Sequence, residues 1–249
     1  MRKIVHSAVA AAFGSLLGGL APNVSAPANA ADLPQAMPAK ALPAVAIYNW
    51  TGLYVGAQGG YQSGAFRTRA YITSTGLPTS LDEQHGTEGW VGGVHAGYNF
   101  QTGSIVWGIE ADIETADLRA GYRYASGDGT DFRSRWQGSL RGRVGAVWNS
   151  LMLYATGGLA FADLEHVYVP GLNPVEPFRR TETGWTVGAG AEWMFAPAWR
   201  ARIEYRFSDY GQISNVSPAF QATYRHDPQF HTVRAGVSYS FGAPVVAKY

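Results

Sequence analysis

Arg135-Trp136-Gln137-Gly138-Ser139-Leu140-Arg141-Gly142-Arg143-Val144-Gly145-Ala146-Val147-Trp148 divides by alternate residues into two unlike sets. Trp136, Gly138, Leu140, Gly142, Val144, Ala146 and Trp148 form one face. Arg135, Gln137, Ser139, Arg141 and Arg143 form the other. Side chains in a β-strand alternate sides, so the segment reads as a strand with one apolar face, bounded by tryptophans, and one cationic face.

Seven further segments repeat the pattern. The first, from Trp50 to Tyr61, sets Leu53, Val55 and Ala57 against Tyr54 and Gln58; the second sets Val94, Ala96, Tyr98 and Phe100 against His95 and Asn99. The third places Ile105, Trp107, Ile109, Ala111 and Ile113 opposite Glu110, Asp112 and Glu114. After the quoted fourth strand come Leu153 and Leu159 against Tyr154 and Thr156, then Trp185, Val187 and Trp193 against Thr186 and Glu192. The seventh has Trp199, Ile203 and Tyr205 against Arg200, Arg202, Glu204 and Arg206; the eighth has Val233, Val237, Tyr239 and Phe241 against Arg234, Ser238 and Ser240.

The connections alternate as well. Residues 63–88, 119–133, 163–183 and 209–230 are long, polar stretches, whereas 101–104, 149–150 and 196–198 are short turns. Long and short in turn is the pattern of an outer-membrane barrel with extended outer loops and tight periplasmic turns. The expected fold is all-β: an eight-stranded antiparallel up-and-down transmembrane β-barrel over residues 50–241.

Composition agrees. Lysine stands only at positions 3, 40 and 248, the chain is 15% charged and 13% aromatic, and it holds 31 glycines. A water-facing surface usually carries about 25–35% charged residues, so the charges here belong on an inward face. Facing inward, Glu110, Asp112, Glu114, Glu192 and Glu204 pair with Arg141, Arg143, Arg202, Arg206 and Arg234; facing lipid, each charge near the midplane would cost a few kcal/mol. Arginine's planar fork suits such pairing better than lysine. Trp107, Trp148, Phe195, Trp199, Tyr239 and Phe241 then form a periplasmic girdle, and Tyr61, Trp90, Trp136, Phe161, Trp185 and Phe207 an outer one.

Arg2 and Lys3, the apolar run from Ala8 to Leu20 and the small-residue pattern Ala28-Asn29-Ala30 read as a secretory signal over residues 1–30. The run is too short and glycine-broken for a spanning helix. Residues 31–49, rich in Pro and Ala, read as a periplasmic lead-in, and 242–249 as a C-terminal periplasmic extension. With no cysteine, packing and pairing take the place of disulfides.

Several stretches resemble the small outer-membrane β-barrel family of alphaproteobacteria, known as porin-family or opacity-like proteins. They are Asn49-Trp50-Thr51-Gly52-Leu53-Tyr54-Val55-Gly56, Val106-Trp107-Gly108-Ile109-Glu110-Ala111-Asp112, Leu140-Arg141-Gly142-Arg143-Val144-Gly145, Arg202-Ile203-Glu204-Tyr205-Arg206 and the closing Val233-Arg234-Ala235-Gly236-Val237-Ser238-Tyr239-Ser240-Phe241. The resemblance implies that the barrel-assembly machinery reads the last strand's aromatics, Tyr239 and Phe241. Family members usually end there, whereas here the chain continues to Tyr249, which leaves two places for that signal.

An eight-stranded interior is just wide enough for side chains to fill, so the expected role is structural: envelope integrity and display of outer loops. A narrow passive channel for small solutes is the alternative, followed by an adhesin or haemin receptor. No Ser-His-acid grouping and no histidine pair with metal-ligand spacing stands out, so neither an enzyme nor a metal site is expected. Gly188-Ala189-Gly190 lies within a strand and is no phosphate loop. Recognition, where it occurs, falls to outer loops bearing His85, His166, Tyr168, Arg179, Arg180, Tyr224, Arg225 and His226, with lipopolysaccharide and outer-membrane lipid or a host surface as partners, and no nucleic acid. Haem capture through His and Tyr is what relatives called haemin-binding proteins imply; no other cofactor is expected.

Overall fold

The computed structural model describes residues 48–123, 129–169, 176–218 and 220–241. The expected signal, most of the lead-in and the 242–249 extension lie outside them. Among the described residues nine strands are formed: β1 Gly52–Ile72, β2 Pro78–Thr102, β3 Ile105–Arg123, β4 Gly129–Trp148, β5 Leu151–Val169, β6 Glu176–Ala196, β7 Trp199–Asp209, β8 Ile213–Ser217 and β9 Ala222–Ser240. Eight close into an antiparallel ring through the β1–β9 pairing, and β8 is a short ninth strand paired to β9 alone.

Pairing once around the ring runs Val55, Ala96, Ala111, Leu140, Leu159, Trp185, Asp209, Gln229 and back to β1 at Ala65. The stagger from position 55 to 65 tilts the strands by about 40° and sets the backbone radius at roughly 8 Å. That bore accepts side chains and little else.

The three periplasmic turns are two-residue links, 103–104, 149–150 and 197–198. Gly103 (φ 61°) and Asn149 (φ 53°) take the left-handed conformation that matches the twist of a tight hairpin. At the outer end the structure departs from the sequence expectation. Most of 63–88, 119–133 and 163–183 is strand, not loop, and residues 213–217 and 222–230 of the fourth connection are strand as well. About ten tilted residues cross the membrane, so strands of this length carry the wall well beyond the outer headgroups.

Arg135 is a second departure. The β3–β4 register shifts between Thr115 and Leu118, and the β4–β5 register between Ser134 and Gln137. This bulge reverses the parity of β4, so Arg135 is exposed and pairs with Glu165 (2.9 Å), while Phe132 and Ser134 turn inward. Below the bulge, alternation holds. Leu140, Val144 and Trp148 are exposed to lipid, as are Trp90, Trp107, Trp185 and Trp199.

Candidate functional site

The interior is filled in layers. At the periplasmic end Trp50, Val106, Met152 and Met194 form an apolar plug with Tyr48 and Val147 against it. Above it comes a layer of ion pairs, then a second apolar layer containing Val91, Leu118, Phe132, Leu164, Tyr210, Ile213 and Phe230. The middle layer is polar because its walls are the alternate positions of β3, β4, β6, β7 and β9, whose other faces must satisfy lipid.

All ten charged residues expected inside are in that middle layer and buried: Glu110, Asp112, Glu114, Arg141, Arg143, Glu192, Arg202, Glu204, Arg206 and Arg234. Glu110 accepts from Arg141 Nη2 and Arg202 Nη1, both at 2.6 Å, from Tyr54 Oη at 2.8 Å and from Arg143 Nη1 at 3.5 Å. Glu114 takes Arg234 Nη1 (2.6 Å), Arg206 Nη2 (2.7 Å), Gln58 Nε2 (2.6 Å) and Gln137 Nε2 (2.9 Å). Glu204 accepts from Arg141 Nη1 and Arg234 Nη2, each at 2.6 Å, and from Tyr154 Oη at 2.9 Å. Asp112 receives Ser139 Oγ (2.5 Å), Arg141 Nη2 (3.1 Å) and Arg206 Nη1 (3.2 Å). Arg143 donates to Glu192 (2.6 Å) and lies over the Tyr154 ring at 4.3 Å. Arg202 also donates to Gln58.

Arg200 belongs to this layer and was not among the ten. It is fully buried, donates to Ser240 Oγ (2.8 Å), lies 3.6 Å from Glu192 and stacks over Trp50 at 4.7 Å. The sequence carries its signal: Arg200 shares the parity of Arg202, Glu204 and Arg206. Tyr54, Gln58, Gln137 and Tyr154 likewise carried the inward parity of their strands. Their role as partners emerges only when strands far apart in sequence meet across the bore.

Six guanidiniums thus face five carboxylates in a space without water access. Such a lattice can orient and lock strands. To pass an ion it would have to break several charge-assisted bonds at once.

The outer residues divide. His166, Tyr224 and His226 are buried within the wall's upper end. The His166 and His226 rings stack at 4.3 Å, His226 Nδ1 lies 3.0 Å from Thr68 Oγ1, and Tyr224 packs with Ala70 and Ala222. Burial holds the His166 imidazole down at about 4, so it is neutral at pH 7. Arg179 bridges to Asp163 (2.9 Å), Arg180 lies 3.5 Å from Glu182 with its side chain 79% exposed, and Arg225 stacks on Tyr71 at 4.3 Å. All of these, with His85 and Tyr168, sit on strands, which corrects their expected place in loops. The side chains of His85 and Tyr168 lie outside the described set. Tyr239 and Phe241 stack edge-to-face at 5.1 Å at the periplasmic rim, and Phe241 N donates to Leu53 O (2.8 Å). No group of three or more metal-ligating side chains occurs among the described residues.

A family model described as outer membrane protein beta-barrel domain matches residues 36–241. The 31 kDa outer-membrane immunogenic protein of Brucella melitensis is 32% identical over 254 residues, covering 97% of this chain and 100% of the relative. The 25 kDa outer-membrane immunogenic protein of Brucella abortus is 35% identical over 221 residues, covering 87% and 92%. Among solved structures, the outer membrane protease OmpT of Escherichia coli aligns with a TM-score of 0.50 and 9% identity, over 76% of this chain and 97% of that one. At that identity the likeness is one of fold alone.

Proposed function

Since the chain belongs to the outer membrane protein β-barrel family, and is an outer-membrane protein like its relatives, we propose that it is a closed structural barrel. In this reading it ties into the outer membrane, contributes to envelope integrity and holds a tall rim of paired strands outside the cell. It is not a wide channel and not an enzyme. One observation carries the reading: the ion-pair layer is buried between two apolar layers, with Glu110, Arg141, Glu204 and Arg234 each 1% exposed. A conducting lumen would keep such groups hydrated.

The partners that fit are the lipid around the girdles, lipopolysaccharide at the outer headgroups and the barrel-assembly machinery at Tyr239 and Phe241. A host surface would meet the rim. Haem is less well served, because His166, Tyr224 and His226 are packed against neighbouring side chains and not presented to solvent. Purified protein in planar bilayers tests the closed barrel. The expected trace shows no steady conductance above the bare bilayer; a large, stable conductance overturns the reading in favour of the passive channel.

A further inference from the structure

The wall is not continuous at its outer end. The β6–β7 ladder stops at Trp185 and Asp209, so residues 176–184 of β6 are paired on the β5 side only. The chain then kinks: Asp209 Oδ1 accepts from Gly211 N (2.7 Å), Gly211 adopts φ +66°, and Tyr210 turns into the interior. When the strand resumes as β8 it pairs with β9, and among the described residues no backbone hydrogen bond joins β8 to β6. Two unpaired strand edges therefore face a common gap, just above the outer aromatics Trp185 and Phe207.

The gap is a cleft of about 240 Å³. Leu164 and Ile213 reach into it from the buried upper layer, with Phe178 beside them; His166 and Asn215 add polar atoms, and Arg180 stands at its mouth. Unpaired strand edges present rows of N–H and C=O groups that bind an added strand, and pockets for alternate side chains supply selectivity. The charges that line it are Arg179, Arg180 and Glu182. Arg179 is taken up by Asp163, and Arg180, largely exposed, makes among the described residues a single 3.5 Å ion-pair contact, to Glu182, which leaves most of its guanidinium open to solvent.

We propose that this cleft takes an extended peptide segment carrying an acidic side chain, which adds as a strand to the free edge of β6, packs an apolar residue on Leu164 and Ile213, and sets its carboxylate on Arg180. An acyl chain is less well suited. Lipid at this height would enter from below, whereas the free edges call for backbone partners. The proposal does not depend on whether the lumen conducts.

The test uses the full mature protein in nanodiscs and a fluorescein-labelled seven-residue peptide of alternating valine and threonine with a central glutamate, followed by anisotropy. Saturable binding is expected. N-methylation of alternate backbone nitrogens, or lysine in place of the glutamate, should each weaken it about tenfold or more, the size of one lost charge-assisted or ladder bond. Arg180→Glu, at an exposed position whose folding is checked by heat-dependent gel mobility, should reverse the preference to the lysine peptide. The proposal is overturned if no saturable binding occurs, if the N-methylated peptide binds equally, or if Arg180→Glu leaves the preference unchanged. Saturable binding of dodecanoate without any of the peptide would also overturn it and assign the cleft to an anionic amphiphile.

Discussion

Removing the charge of Glu110 tests whether the buried ions work as a balanced set. Its carboxylate lies 2.6 Å from nitrogens of both Arg141 and Arg202, and 3.5 Å from Arg143. At an effective dielectric of about 20, a pair of charges some 4 Å apart is worth about 4 kcal/mol before desolvation. The three arginines differ in what remains to them after Glu110→Gln. Arg141 keeps Asp112 and Glu204, and Arg143 keeps Glu192. Arg202 makes its ion pair with Glu110 and keeps the amide of Gln58, with Glu204 acting on it at longer range. Glu110→Gln therefore leaves one buried guanidinium without a carboxylate in ion-pair contact, and should cost about 3–5 kcal/mol. Arg202→Met leaves Glu110 with two cations and should cost less. The double variant removes both members and should recover about 2 kcal/mol or more of the Glu110→Gln loss. Urea unfolding in lipid vesicles, followed by fluorescence of the eight tryptophans, measures all three. A double variant as unstable as Glu110→Gln, or simply additive, would refute the reasoning.

Leu140→Arg places a cation on the lipid face between Trp136 and Trp148, and should lower stability by about 2–4 kcal/mol in the same vesicle titration; no change would mean that this face does not meet lipid. Gly158→Val sets a branched side chain against the Leu140 carbonyl and Arg141 Cα, and should cost about 1–3 kcal/mol in urea, visible also as reduced folded protein on unheated gels. His166, whose folded pKa is held down at about 4, packs on His226 from β9 and shares the cleft with Arg179, Arg180 and Glu182 from β6. Above pH 6.5 the ring is neutral in folded and open states alike. As pH falls from 6.5 to 4 the open state takes the proton first, so the rim should lose up to about 3 kcal/mol across that window. Hydrogen exchange of upper β5 and β9 at pH 7 and 4.5 reads this, and His166→Phe should flatten the difference; an unchanged difference in that variant would sink the assignment.

The membrane-crossing half of the fold was legible because lipid outside and charge inside force opposite chemistry onto alternate residues, as Leu140 and Arg141 show. Where that contrast ends, so does the signal. Above the girdle the outer face meets water instead of lipid, so alternate residues no longer carry opposite chemistry, and the strands through Arg67, His85 and Arg179 read as loops although they are paired. The bulge at Arg135 left no mark, because Trp136 suits an outer position in either parity. The apolar plugs were hidden for another reason: Met152, Met194, Leu118 and Phe132 lie on the inward parity near strand ends, where an apolar residue looks like more lipid-facing surface. The cleft beside β6 depends on where β7 stops, which the Asp209–Gly211 kink decides in three dimensions.

A buried lattice of six arginines and five carboxylates is a costly way to fill a bore that leucines could fill. Its advantage lies in the alternatives it removes. With lipid outside, an apolar interior would make the two faces of each strand interchangeable, and a one-residue slip would cost little. With Arg141 inside, the same slip carries it into lipid and breaks its contacts to Glu110, Asp112 and Glu204, which come from β3 and β7. The lattice thus sets register between strands that are not neighbours, something the backbone ladder alone does not do. The double variant Glu110→Gln/Arg202→Met separates the two effects. Its folded stability should lie well above that of Glu110→Gln, while its folding into vesicles slows and the share of misfolded product rises on unheated gels. Equal yield and rate would mean that the ions fill space and nothing more.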